Sequence, residues 1–255
     1  RREMTVKCGQ KCTAIRRIIV PEKLVEDVQL ALSQQLQKTT IGNPTVEGVR
    51  MGSLVSRKQA EVVRQRVEQL AGDTRIVYGD LDNFEVTGAD RSKGAFFSPI
   101  LFINDDPFNK QETHVVEAFG PVSTIMPYKD QGEAIELANM GKGSLVSTIA
   151  TADEAIATDY VMGAAPYHGR ILILNEESAK ESTGHGSPMP LLVHGGPGRA
   201  GGGEEMGGVR GVKHYLQRTA VQGHPTMISA VTGQYQKGGA YKEKVIHPFQ
   251  QHFED

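Results

Sequence analysis

A cysteine among small residues is the sharpest chemical signal in the sequence. In Gly9-Gln10-Lys11-Cys12-Thr13-Ala14, the glycine before the thiol and the small residues after it leave room for an electrophilic carbon to approach sulfur. A thiol with the ordinary pKa of ~8.5 is only slightly ionised at neutral pH, so a nucleophilic cysteine needs a dipole, a cation or a base nearby. Lys11 is adjacent, although sequence neighbours need not point the same way. Taken alone, a cysteine in a soluble protein is more often a small buried residue than a nucleophile. The other thiol, Cys8, makes a C-x3-C spacing with no second pair and no H-x3-H, so zinc is not expected.

The second signal is Glu117-Ala118-Phe119-Gly120-Pro121-Val122, directly before an apolar run. Gly-Pro at that place sets a turn at a strand's entry. A carboxylate on such a turn can accept two ribose hydroxyls, and an aromatic can cover a flat ring. The same residues also fit a solvated acid and a core phenylalanine, and both are common.

Gly196-Pro197-Gly198-Arg199-Ala200-Gly201 satisfies G-x-G-x-x-G after Leu191-Leu192-Val193. A dinucleotide loop needs a helix opening there, so that its amides face a pyrophosphate, and an acid some 20 residues on. Here glycines continue, Glu204-Glu205 add negative charge, and the acid is missing. A glycine-rich connection is the better expectation. His194 adjoins this run, and no two of the eight histidines have metal-ligand spacing, so no metal is expected.

Several elements must position these residues. Arg17–Val20 reads as a strand, and Pro21 as the first residue of a helix bearing Leu24, Val25, Val28, Leu32 and Leu36 on one face. Ser56 and Gln59 form a capping-box pair at the start of a helix with a stripe of Ala60, Val63, Val67 and Leu70, stopped by Gly72. Arg75–Tyr78 is a strand, Gly79–Gly94 a polar loop, and Ala95–Ile103 a buried strand bent or at an edge where Pro99 falls. Ser123–Met126, Leu145–Ala150 and Arg170–Leu174 read as strands alternating with helices over Asp130–Asn139 and Ala152–Gly163. That alternation predicts parallel pairing with right-handed crossovers, an α/β fold. Val212–Leu216 is expected to be helical, Thr219–Gln222 a short strand, and 233–255 a tail or an arm on another subunit.

Composition narrows the classes. The 255 residues carry 28 Lys+Arg against 30 Asp+Glu, net charge −2, which argues against nucleic-acid binding through bulk charge. No apolar run reaches the ~18 residues of a membrane span, and no secretory h-region follows Arg1-Arg2-Glu3. Two cysteines cannot build a disulfide framework, so a reducing cytoplasm is the expected compartment. The chain begins without Met, and a cut inside a larger protein is expected there.

Taken together, the cysteine segment and the Glu117–Val122 segment, in this order, with Leu137-Ala138-Asn139 and a glycine-rich run after them, resemble the aldehyde dehydrogenase superfamily over roughly Met4 to Gln222. His194-Gly195-Gly196-Pro197-Gly198-Arg199, Gly203-Glu204-Glu205 and His247-Pro248-Phe249 are similar to its phenylacetate-degradation branch, bifunctional proteins in which a semialdehyde dehydrogenase is fused to an oxepin-CoA-opening hydratase domain. The resemblance implies a parallel-sheet catalytic domain over 1–216 and an oligomerisation strand and tail over 217–255. It implies Cys12 as nucleophile, Glu117 on the nicotinamide ribose, Phe119 on the nicotinamide, and His194 near the substrate. It further implies NADP or NAD as cofactor, a CoA-linked semialdehyde as substrate, a homo-oligomer, and a hydride-transfer mechanism through a cysteine thioester, with the backbone amide at the cysteine helping to hold the oxyanion. The family's general-base glutamate and nucleotide-binding region lie upstream of the segment present, and Glu3 is too close to Cys12 to be that base. Two other readings stay open: an assembly module without catalysis, and a phosphate-binding domain built on Gly196–Gly201.

Overall fold

A computed structural model describes residues 1–182, 184–186, 195–201 and 216–240. The chain divides into two compact units, Arg1–Leu137 and Ala138–Asp255.

The first unit is built on a four-stranded sheet in the order β1-β4-β3-β2, with β1 Arg17–Pro21, β2 Arg75–Tyr78, β3 Ile100–Ile103 and β4 Val122–Tyr128. β4 pairs in parallel with β1 and with β3, whereas β2 runs antiparallel to β3. β3 is buried along its whole length, and its side chains alternate between two clusters. Ile100 and Phe102 meet Val63, Val67 and Leu70 of helix α3 (Arg57–Ala71). Leu101 and Ile103 join Leu36 of α2 (Val25–Gln37), with Val25, Val28 and Leu32 packed against them. The period of two in a strand thus places one helix on each face of the sheet. Two four-residue helices, α1 Arg2–Thr5 and α4 Glu112–Val115, also belong to the unit.

Two expected boundaries move. Pro21 ends β1 instead of opening the helix, and a 3-10 turn over Glu22–Leu24 precedes α2. β1 is at the sheet edge, where the missing proline N–H leaves no ladder bond unmade. Pro99 lies just outside β3, an interior strand, which begins one residue later because a central position requires an amide donor.

The second unit carries a three-stranded parallel sheet, β5 Ser147–Ala150, β6 Arg170–Leu174 and β7 Ala220–Gln222, in that order. Helix α6 (Glu154–Ala164) forms the β5–β6 crossover, capped by Asp153, whose carboxylate accepts from the amides of Ala155 and Ile156. The strand–helix alternation read from the sequence is therefore shared between two sheets, because β4 belongs to the first and β5 to the second; α5, Gln131–Asn139, lies between them in the chain. Helix α7 (Pro225–Thr232) is an element that the sequence reading did not foresee, and it carries its own signals: a His224 cap, Pro225 in the first turn and Gly233 in the left-handed conformation after it. The expected helix over Val212–Leu216 falls almost wholly outside the described residues. Among the described residues, no helix is long and apolar enough to cross a membrane.

Candidate active site

The cysteine segment enters through a tight left-handed turn. Lys7, Cys8 and Gly9 all have positive φ, at 53°, 54° and 70°. Two consecutive non-glycine residues in that region are costly and persist only where their surroundings enforce them. Here Cys8 is anchored in the core of the first unit, 1% exposed. Burial pushes its thiol up to about 12, so it stays protonated and inert at neutral pH. Cys12, four residues on, is exposed at a turn. No disulfide joins the two. The structure therefore separates two thiols that the sequence presents side by side: one packs and the other faces solvent.

The turn is seated on the second motif. A Cβ at Gly9 would lie 2.1 Å from the Gly120 carbonyl oxygen and 2.6 Å from the Pro121 nitrogen. Backbone thus meets backbone, and only glycine fits. Gly120 is in turn pressed by α3, since a Cβ there would lie 2.7 Å from Cγ1 of Val63. The residues before it alternate strictly: Val116, Ala118 and Gly120 are buried, whereas Glu117 and Phe119 are exposed. Glu117 and Phe119 are thus both exposed on the segment that abuts the cysteine turn, and at Phe119 the chain leaves the extended conformation with φ 51°.

Several contacts that the sequence did not foretell hold this arrangement. Gln10 accepts the Val55 amide at 2.8 Å, tying the cysteine turn to the approach of α3. The Lys11 ammonium is 2.9 Å from the Glu3 carboxylate, so both are occupied with one another. Arg16 lies 3.6 Å from the Glu117 carboxylate. Gln59 donates from its side chain to the Phe119 carbonyl at 3.2 Å. Lys11 and Gln59 carried a signal in the sequence, the one adjacent to Cys12 and the other three residues after Ser56, whereas Arg16 carried none. The Ser56 hydroxyl does accept the Gln59 amide at 3.1 Å, but the glutamine side chain turns outward to Phe119. His114, behind the site, is buried and held neutral: Arg17 can only donate to its Nδ1 and the Pro107 carbonyl can only accept from its Nε2. Burial is the main cause that lowers its pKa, with the nearby Arg17 charge adding to it.

The glycine-rich segment is closed upon itself within the second unit. The amide of Gly196 donates to Gly201, that of Arg199 to Lys142, that of Ala200 to Pro197 and that of Gly201 to Gly198. Amides spent on carbonyls are not presented to a phosphate, and these four bonds count against the dinucleotide reading of this loop. His194 lies outside the described residues. Among the described residues no group of three or more His, Cys, Asp or Glu side chains could hold a metal ion.

With this geometry in view, the comparisons with known proteins converge. The sequence profile of the aldehyde dehydrogenase family matches residues 2–221. The chain is 50% identical over 207 residues to Protein MaoC of Klebsiella aerogenes, a match covering 80% of this chain and 60% of that protein. It is 41% identical over 196 residues to a 3,4-dehydroadipyl-CoA semialdehyde dehydrogenase of Aromatoleum evansii, covering 77% of this chain and 38% of that protein. Among solved structures, the betaine aldehyde dehydrogenase of Staphylococcus aureus in complex with NAD+ superposes with a TM-score of 0.68 at 24% identity, over 84% of this chain and 39% of that one. At that identity the superposition speaks to the fold. The chain spans 60% and 38% of the lengths of the two curated relatives.

Proposed function

The chain belongs to the aldehyde dehydrogenase family, and on that premise we propose that it supplies the nucleophile and the nicotinamide-facing wall of an NAD(P)-dependent aldehyde dehydrogenase. The observation that carries this reading is the seating of the Cys12 turn, through Gly9, against Gly120 of the segment from which Glu117 and Phe119 project. In it, the Cys12 thiolate adds to the aldehyde carbon, and the backbone amide at the cysteine helps to hold the resulting oxyanion. NAD+ or NADP+, when bound, accepts the hydride from that carbon. Cys12 then holds the acyl group as a thioester, and water releases the carboxylic acid and returns the thiol.

The residues present suit that dinucleotide. Glu117 is an exposed carboxylate able to accept two ribose hydroxyls, and Phe119, 40% exposed, offers an uncovered ring at the next outward position of the same segment. We assign His194 to the substrate side. The relatives favour a CoA-linked semialdehyde, since one of them is named for such a substrate. The general base and the nucleotide-binding region would come from outside these 255 residues. The division proposed is a catalytic region over 1–216 and an oligomerisation strand and tail over 217–255, in a homo-oligomer whose full polypeptide also carries a hydratase domain.

The test is Cys12→Ala in the full-length protein. Aldehyde-dependent NAD(P)H formation should vanish while the protein stays folded. Persistent NAD(P)H formation would reject the assignment, and turnover by the 255-residue chain alone would remove the need for an outside base.

A further inference from the structure

We propose that Gln59 is the positioning residue of the Phe119 turn: by donating to the Phe119 carbonyl it holds that residue in a left-handed conformation and so sets the direction of the phenyl ring. The inference rests on the preceding reading in one respect, that the ring faces the nicotinamide.

Phe119 has φ 51°, in a region that a bulky side chain rarely enters. Such a residue relaxes to extended backbone unless its neighbours over-determine it. Its neighbours do so from both ends. Ala118 is buried, and Gly120 is caught between the Gly9 backbone and the Val63 side chain. Between these fixed points the Phe119 peptide can still rotate. The Gln59 side-chain amide, 3.2 Å from the carbonyl oxygen, opposes that rotation.

Capping alone does not account for this glutamine. In a capping box its side chain would reach back to the Ser56 amide. Here it reaches across to another segment, while its own amide is secured by the Ser56 hydroxyl. Gln59 and Val63, four residues apart, lie on one face of α3. The helix therefore grips consecutive residues of the turn, Phe119 by hydrogen bond and Gly120 by contact. This hydrogen bond is exposed, so water can replace the lost donor, and the fold would tolerate the loss while the ring direction would not.

The experiment uses the full-length enzyme and Gln59→Met, which keeps length and removes the donor. The KM for the dinucleotide should rise about fivefold to tenfold, with the alkylation rate of Cys12 by iodoacetamide unchanged. The melting temperature should fall by about 2–4 °C. That fall should disappear when Gln59→Met is made in a Phe119→Gly background, because glycine enters the left-handed region without cost. An unchanged KM, or an equal fall in both backgrounds, overturns the proposal. Loss of NAD(P)H formation in Cys12→Ala, seen together with an unaltered Gln59→Met enzyme, would reject this inference and leave the site assignment intact.

Discussion

Gly9 and Gly120 touch through their backbones, with space for no side chain between them, although 111 positions separate them in the sequence. This contact joins the turn that carries Cys12 to the segment that carries Glu117 and Phe119. Gly9 also has φ 70°, so a substitution there meets both strain and collision. Gly9→Ala should destabilise the protein by about 2–4 kcal/mol. Urea denaturation measures it, and a loss below 0.5 kcal/mol, on the order of a neutral surface change, would contradict the contact.

The two cysteines should differ sharply in reactivity. Iodoacetamide at pH 8 should label Cys12 in the native protein and reach Cys8 only after unfolding, as peptide mass spectrometry would show. Equal labelling of both would contradict the burial of Cys8.

Alkaline stability should report the buried thiol. The folded pKa of Cys8, about 12, lies well above the ordinary thiol range of ~8.5–9. Between those limits the unfolded chain loses a proton that the folded chain keeps, so the contribution present below pH 9 falls away as pH rises toward 12. The slope is on the order of 1 kcal/mol per pH unit. Denaturation midpoints from pH 8 to 10.5 should therefore drop more steeply in the wild type than in Cys8→Ala. Parallel curves would show that the thiol ionises equally in both states.

His114 works in the opposite direction on the acid side. Its folded pKa is lowered from 6.5, chiefly by burial, so the unfolded chain binds the extra proton more readily. The associated stability is present above pH 6.5 and lost as pH falls below it. Replacement by Gln, which cannot be protonated, should flatten the fall in denaturation midpoint between pH 7 and 5. An unchanged slope would assign that fall to other groups.

Glu117 should matter for the dinucleotide and little for the fold. Its ion pair with Arg16 spans 3.6 Å, and its side chain is 43% exposed, so screening leaves the pair about 0–1 kcal/mol. Glu117→Gln should raise the KM for NAD(P)+ about tenfold while shifting the melting temperature by less than about 2 °C. A large fall in melting temperature with an unchanged KM would make Glu117 a structural residue.

Local rules were enough for the elements whose ends are chemically marked. The α3 helix begins after Ser56 because that hydroxyl caps it, and its stripe of Val63, Val67 and Leu70 is buried as the spacing requires. Arg75–Tyr78 and Arg170–Leu174 are strands over the residues that their branched side chains indicate. Where the reading failed, a residue had two local uses. Proline suits a helix start and also an edge strand, and at Pro21 the pairing of β1 with β4 selects the second. In α7 the flanking His224, Pro225 and Gly233 were legible, but an eight-residue helix is too short for periodicity to stand out.

The primary chain already specifies a thiol among small neighbours, an acid and an aromatic at alternate positions, and helices and strands of recognisable period. These are properties of near neighbours, settled by side-chain type and spacing. Which of two thiols is buried, where the Gln59 amide points, and that Gly9 rests on Gly120 belong to contacts between residues far apart in sequence. Such contacts arise only when the sheet and its flanking helices pack, since burial and close approach depend on what the rest of the chain brings alongside.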